Sequence, residues 1–128
     1  MYTDARKAYR DTHAASSISE ASPHKLVALL FDVCHENLAT AKGAMTRGET
    51  KRKAESLKKA MEIIVQLQAV LDFEKGGVIA TRLDDLYTFC TNRLALANAI
   101  NDTAMVDEVY KVIAELKLGW VEIAKEVS

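Results

Sequence analysis

Four long stretches of this chain repeat apolar residues in alternating steps of three and four, and very little interrupts them. The last stretch is the clearest: Val106, Val109, Ile113, Leu116, Trp120, Ile123 and Val127 fall on one narrow stripe. Before it run Ile79, Leu83, Leu86, Cys90, Leu94 and Ala97, then Leu57, Ala60, Ile64, Leu67 and Leu71, and first Leu26, Leu30, Cys34, Leu38, Ala41 and Met45. A period near 3.5 keeps one face of a helix against a neighbour and cannot be satisfied by a strand, whose faces alternate every residue. Five glycines and one proline in 128 residues leave too few turns for a β fold.

The ends of these stretches carry their own signals. Ser22-Pro23 supplies a capping oxygen and then a proline where no amide donor is needed. Gly48 can take the left-handed conformation that stops a helix. Glu49 or Thr50 opens the next one, Gly76-Gly77 separates the second from the third, and Asn101-Asp102-Thr103 breaks the third and caps the fourth. The pattern predicts helices over about 22–47, 50–73, 77–100 and 102–127. Connections this short force consecutive helices to lie antiparallel. The expected fold is all-α, an antiparallel up-down-up-down four-helix bundle over 22–128. Residues 1–21 are expected to stand apart as an N-terminal arm, part of it a short helix around 3–13 expected to dock by Tyr9.

Charge does not point to a polyanion. Seventeen basic residues balance eighteen acidic ones, so no overall field steers the chain to nucleic acid or membrane. A local cluster, Lys42, Arg47, Lys51, Arg52, Lys53, Lys58 and Lys59, reads first as a solvated loop and helical turn, and second as a partner contact. Cys34 and Cys90 lack metal or redox spacing and read as buried free thiols. No basic-then-apolar leader opens the chain and no apolar run reaches spanning length, so the expected place is the cytoplasm without membrane insertion.

Few polar residues sit at spacings that could carry chemistry. His13, His24 and His35 do not share a helical face. Asp32-x-x-His35 is half of a carboxylate-bridged metal site, but the second acidic-x-x-His pair is missing. Gly76-Gly77 lacks the further glycine and the lysine-hydroxyl pair of a phosphate loop. The expectation is no enzyme, no cofactor and no metal. Left over are apolar positions beyond what a bundle seam uses: Phe89, Leu96 and Ile100 on the third helix, Ile63, Val65 and Val70 on the second, and Met105, Val112 and Leu118 on the fourth. Either the core face is broad, or a hydrophobic groove lies on the outside, covered by the arm or by a partner.

Several short pieces in order resemble a known family. They are Lys7-Ala8-Tyr9; Ala21-Ser22-Pro23-His24-Lys25-Leu26-Val27 leading to Leu30-Phe31-Asp32; and Leu71-Asp72-Phe73-Glu74-Lys75-Gly76-Gly77. Then come Ile79-Ala80, Leu86-Tyr87, and Arg93-Leu94 followed by Ala97-Asn98. Together they resemble the FliS flagellar secretion chaperones. The resemblance implies a cytoplasmic bundle that binds the disordered C-terminal segment of flagellin in surface grooves. It thereby prevents premature polymerisation and presents the subunit for flagellar type III export, with export-gate components as further partners. It also implies that the arm covers part of that surface in the free protein. By position, Tyr9 is the arm's anchor, and Ile64, Leu71, Tyr87, Leu94 and Asn98 are groove candidates. The alternatives from other classes are a helical signalling or phosphotransfer domain that binds a folded partner, an RNA-binding bundle using Lys51–Lys59, and a plain structural dimer.

Overall fold

A computed structural model describes the backbone of residues 23–127 and the side chains of 24–122. The arm with Tyr9, the Ser22 cap, and the Ile123 and Val127 side chains lie outside the described residues. Within them the chain forms four helices: α1, Pro23–Arg47; α2, Thr50–Ala69; α3, Phe73–Ile100; and α4, Thr103–Val127. Each helix packs against two neighbours in a ring, α1 on α2 and α4, and α3 on α2 and α4, and no diagonal pair meets among the described residues. That is an antiparallel up-down-up-down bundle.

Two of the three turns form as the sequence expects. Gly48 takes φ 72 and ends α1, and Asn101 takes φ 56 and ends α3. Asp102 Oδ1 then accepts from the amides of Ala104 and Met105. The third turn differs. The sequence runs the second helix to 73 and starts the third at 77, but α2 stops at Ala69 and α3 begins at Phe73. The cause is Asp72, whose carboxylate accepts from the Lys75 amide at 3.0 Å and caps α3 four residues early. The double glycine therefore lies inside α3, where Gly77 (φ 51, ψ −125) bends it.

The core follows the stripes with three departures: Ile63, which the sequence left over, and Tyr87, outside the stripes, are buried, and Ile79 turns outward. Leu38, Leu57, Ile63, Ile64, Leu67, Leu94, Val106, Val109 and Ile113 are completely enclosed, joined by Cys34, Cys90 and small alanines. Ala41, Ala44 and Ala60, all wholly buried, let α1 and α2 approach closely, and the Cys34 thiol reaches the Ala60 carbonyl at 3.8 Å. On α3 the buried residues are Ala80, Tyr87, Cys90, Leu94 and Ala97. Ile79, at the head of the expected stripe, is instead 68% exposed, because the bend at Gly77 ends the straight register just before it.

Polar groups fix the seams. Between α1 and α4, Lys117 pairs with Asp32 and Lys42 with Asp107 at 2.6 Å. His35 stacks on Tyr110 with centroids 3.8 Å apart, and Trp120 stacks on His24 and donates to its carbonyl at 2.8 Å. Between α2 and α3, Gln68 donates to the Asp84 carboxylate and the Thr88 hydroxyl. Lys53 is buried and its ammonium donates to the Asn98 carbonyl at 3.1 Å and to Asn101 Oδ1 at 3.2 Å. The cation thus meets the carbonyl end of α3, where a helix dipole favours it. Lys53→Met keeps the stem and removes the donors. It is expected to cost about 1–2 kcal/mol in a urea melt with unchanged slope.

Candidate functional site

The feature that asks for an explanation is the outer face of α3. At 100° per residue, Phe89, Arg93, Leu96 and Ile100 fall on one stripe, about one residue's step around the helix from Tyr87, Cys90, Leu94 and Ala97, which face the core. Phe89, Leu96 and Ile100 are exposed. The Arg93 guanidinium lies 5.0 Å from the Phe89 ring centroid and pairs with Glu108 of α4 at 3.1 Å. Arg93 thus ties the stripe to the α3–α4 seam, where Met105, Val112 and Leu116 are only half buried.

A second cluster surrounds the bend. Val70, Phe73, Val78 and Ile79 are all more than half exposed. Gly76 and Gly77 create it for different reasons. A Cβ on Gly76 would come within 2.9 Å of the buried Ala80 methyl, and Gly77 has a backbone conformation that side chains rarely adopt. Of nine large exposed apolar residues among the described residues, six lie on α3, Val65 near the end of α2 and Val70 in the turn between them, and only Leu118 lies on α4. Single exposed apolar residues are ordinary, but such concentration on one helix marks a contact surface.

The residues that the sequence nominated sit mostly beneath this surface. Ile64 and Leu94 are completely buried and Tyr87 nearly so; together with half-buried Leu71 they pack in one core. Asn98 is half buried with its carbonyl held by Lys53. Tyr9 lies outside the described residues. The second stripe, Phe89, Leu96 and Ile100, is legible in the sequence and is exposed. Phe73 and Val78 are not legible as surface from the stripes, and Ile79, which the stripe places in the core, is exposed; the signal is the capping Asp72 three residues before Lys75.

Other candidate chemistry is tied up in packing. The His35 ring nitrogen Nε2 lies 3.1 Å from the Tyr110 carbonyl, and both His24 and His35 are stacked on aromatics of α4. No three His, Cys, Asp or Glu side chains converge to hold a metal among the described residues. No helix there is long and apolar enough to cross a membrane.

The two thiols make a pH test of the core. Burial pushes Cys34 up to about 12 and Cys90 to about 11, and raises Tyr87 to about 12. In the unfolded chain the thiols ionise near 9.0. Above that pH the folded state holds protons that the unfolded state has lost, so stability is full below about 9 and falls as pH rises toward about 11–12. Thermal melts are expected to show this alkaline decline, and Cys34→Ala/Cys90→Ala to reduce it.

Comparison with known proteins gives a consistent answer. The sequence profile of the family described as flagellar protein FliS matches residues 5–127. The chain is 42% identical to the flagellar secretion chaperone FliS of Vibrio cholerae, covering 94% of this chain and 88% of that protein. It is 41% identical to the flagellar secretion chaperone FliSB of Pseudomonas aeruginosa, covering 91% and 92%. It is 38% identical to the flagellar secretion chaperone FliS of Salmonella typhimurium, covering 100% and 96%.

Proposed function

This chain belongs to the FliS family of flagellar secretion chaperones, and on that premise we propose that it is a cytoplasmic chaperone that holds the disordered C-terminal segment of flagellin. Holding it blocks premature polymerisation and keeps the subunit fit for flagellar type III export. The observation that carries this reading is the concentration of exposed apolar residues on α3.

A disordered client loses about 1–2 kcal/mol of backbone entropy for each residue it orders. Hydrogen bonds to a helical surface cannot repay that, because backbone groups inside a helix are already paired and no strand edge is on offer among the described residues. Apolar anchors can, at about 25 cal/mol for each Å² removed from water. Short amphipathic helices in the client, laid over Phe89, Leu96 and Ile100 and over the cluster at the bend, suit this arrangement. Ile64, Tyr87 and Leu94 then act from below, by holding the floor of the surface rigid. Export-gate components are further partners on this reading, and nucleic acid is not one.

In the same reading the arm anchored by Tyr9 competes with the client. Affinity then falls by the fraction of molecules in which the surface is covered. Removing residues 1–15 is expected to change flagellin affinity while leaving the circular dichroism of the bundle unchanged.

The function is tested with flagellin itself. Equimolar chaperone is expected to suppress seeded polymerisation of full-length flagellin, and to co-purify with it but not with flagellin lacking its C-terminal segment. Equal capture of the truncated flagellin would put the client site elsewhere on flagellin.

A further inference from the structure

One charged side chain is set inside the apolar face of α3. Arg93 stands between Phe89 and Leu96 on the exposed stripe and borders the seam where Met105, Val112 and Leu116 are half buried. Its side chain is only 32% exposed. The cores of contact surfaces are depleted in lysine and in acidic residues, but arginine is enriched there.

The pairing of Arg93 within the chain is loose. Glu108 Oε1 lies 3.1 Å from Arg93 Nε, yet that nitrogen is buried without a hydrogen bond, because its N–H does not point along the line to the oxygen. The second contact, from Nη2 to Glu108 Oε2, is 3.5 Å long, at the outer limit for a hydrogen bond. A well-formed fork between arginine and a carboxylate makes two parallel bonds of about 2.7–2.9 Å. Glu108 is itself 46% exposed, so water competes for its carboxylate and the pair adds little to the fold.

No other charge completes the pair among the described residues. Lys111, the next cation on α4, pairs with Asp107 at 3.2 Å, and Lys42 of α1 takes the same Asp107 at 2.6 Å. Because Nε and Nη2 are the nitrogens that approach Glu108, Nη1 is left over, and it makes no hydrogen bond with any described residue. The Phe89 ring, 5.0 Å away, holds the guanidinium against the apolar stripe. A cation with donors to spare therefore waits in the middle of the client surface.

We propose that Arg93 is the polar anchor of this face and reads a carboxylate side chain that lies beside the apolar residues of the docked client helix. The inference rests on the flagellin reading above. In the free protein Glu108 keeps the guanidinium in place; in the complex the client's carboxylate takes Nη1 and competes with Glu108 for Nη2. A helix laid over Phe89 and Leu96 excludes water from around the new pair, which strengthens its hydrogen bonds. An apolar stripe alone accepts any amphipathic helix. An arginine within it rejects a helix that brings no acceptor, because the donors are then buried unpaired. Phe89, Leu96 and Ile100 supply adhesion, and Arg93 sets which segments are held.

The test titrates the full chain with two forms of the flagellin C-terminal segment, the natural one and one in which every Asp and Glu is replaced by Asn or Gln. Arg93→Gln is expected to weaken binding of the natural segment about tenfold, the loss of a hydrogen bond to a charged group. It is expected to leave binding of the amide form unchanged, so the two changes are not additive. Glu108→Gln removes the internal competitor and is expected to tighten the natural segment about threefold, the scale of an exposed ion pair. Lys59→Gln removes the same charge on the side of α2 that faces α1 and is expected to change neither affinity. Equal weakening by Arg93→Gln and Glu108→Gln would make the pair a tie between α3 and α4 and overturn the proposal. So would a loss in Arg93→Gln that persists with the amide form, or one that disappears when only the terminal carboxylate of the segment is amidated. If the unaltered chain bound neither form, the flagellin reading would fall as well; equal binding by the unaltered chain and Arg93→Gln would remove the role of Arg93 alone.

Discussion

Replacing Leu96 and Ile100 together by aspartate is expected to weaken binding of the flagellin C-terminal segment about a hundredfold while leaving the fold intact. The two side chains are 44% and 56% exposed, so each has roughly half its surface left to bury. At about 25 cal/mol per Å² that is on the order of 1 kcal/mol each, and an aspartate held against an apolar client adds a comparable desolvation cost. The sum, about 3 kcal/mol or more, corresponds to about two decades in Kd. Neither residue contributes to the core, so the unfolding midpoint should move by no more than an ordinary surface substitution moves it. Leu118→Asp is the control. Leu118 is just as exposed, at 67%, but it sits on α4, away from the cluster, and its loss should leave affinity unchanged. Equal effects from both variants would mean that general surface apolarity, not the face of α3, holds the client.

The double glycine gives the second large effect, and here the two neighbours fail for different reasons. At Gly77, φ 51 with ψ −125 is a conformation reserved for residues without a Cβ. Gly77→Ala must either hold that strain, about 1–3 kcal/mol, or straighten the bend. At Gly76 the difficulty is space. A methyl would meet the Ala80 methyl at 2.9 Å, and Ala80 is buried and cannot swing aside, so overpacking costs about 1–3 kcal/mol. Either variant should lower the urea midpoint and also weaken client binding, because Phe73, Val78 and Ile79 are presented by the bend. Two other helical glycines show that the effect is positional. A Cβ at Gly119 meets nothing within 4 Å, and Gly119→Ala should stabilise the chain by roughly 0.5–1 kcal/mol through helix propensity. A Cβ at Gly43 meets only the movable end of Arg47, so Gly43→Ala should be mild.

These contrasts also show which parts of the molecule could be read from sequence. The bundle was legible because its causes are local: periodicity places the stripes, while Gly48 and Asn101-Asp102 stop and start helices with their own side chains and dihedrals. The α2–α3 turn was misread because two local signals competed. Asp72 and the glycine pair both offer a boundary, and which one caps and which one bends depends on how Ala80 packs beneath Gly76. The same competition explains why periodicity places Ile79 on the core stripe although it is exposed. The destination of Lys53 was hidden, since its partners lie 45 and 48 residues away. Of the surface itself, Phe89, Leu96 and Ile100 were visible as a surplus stripe. Ile64, Tyr87 and Leu94 carry the same kind of side chain, and one step around the helix separates outside from inside.

The client site is tested most directly by a calorimetric titration of the full chain with the flagellin C-terminal segment, repeated at several temperatures. The expected result is micromolar or tighter binding with a strongly negative heat-capacity change, the mark of apolar burial, together with a gain of helix in the client. Absence of binding at high micromolar segment, or binding whose heat capacity does not change, would contradict an apolar face on α3 as the seat of the client.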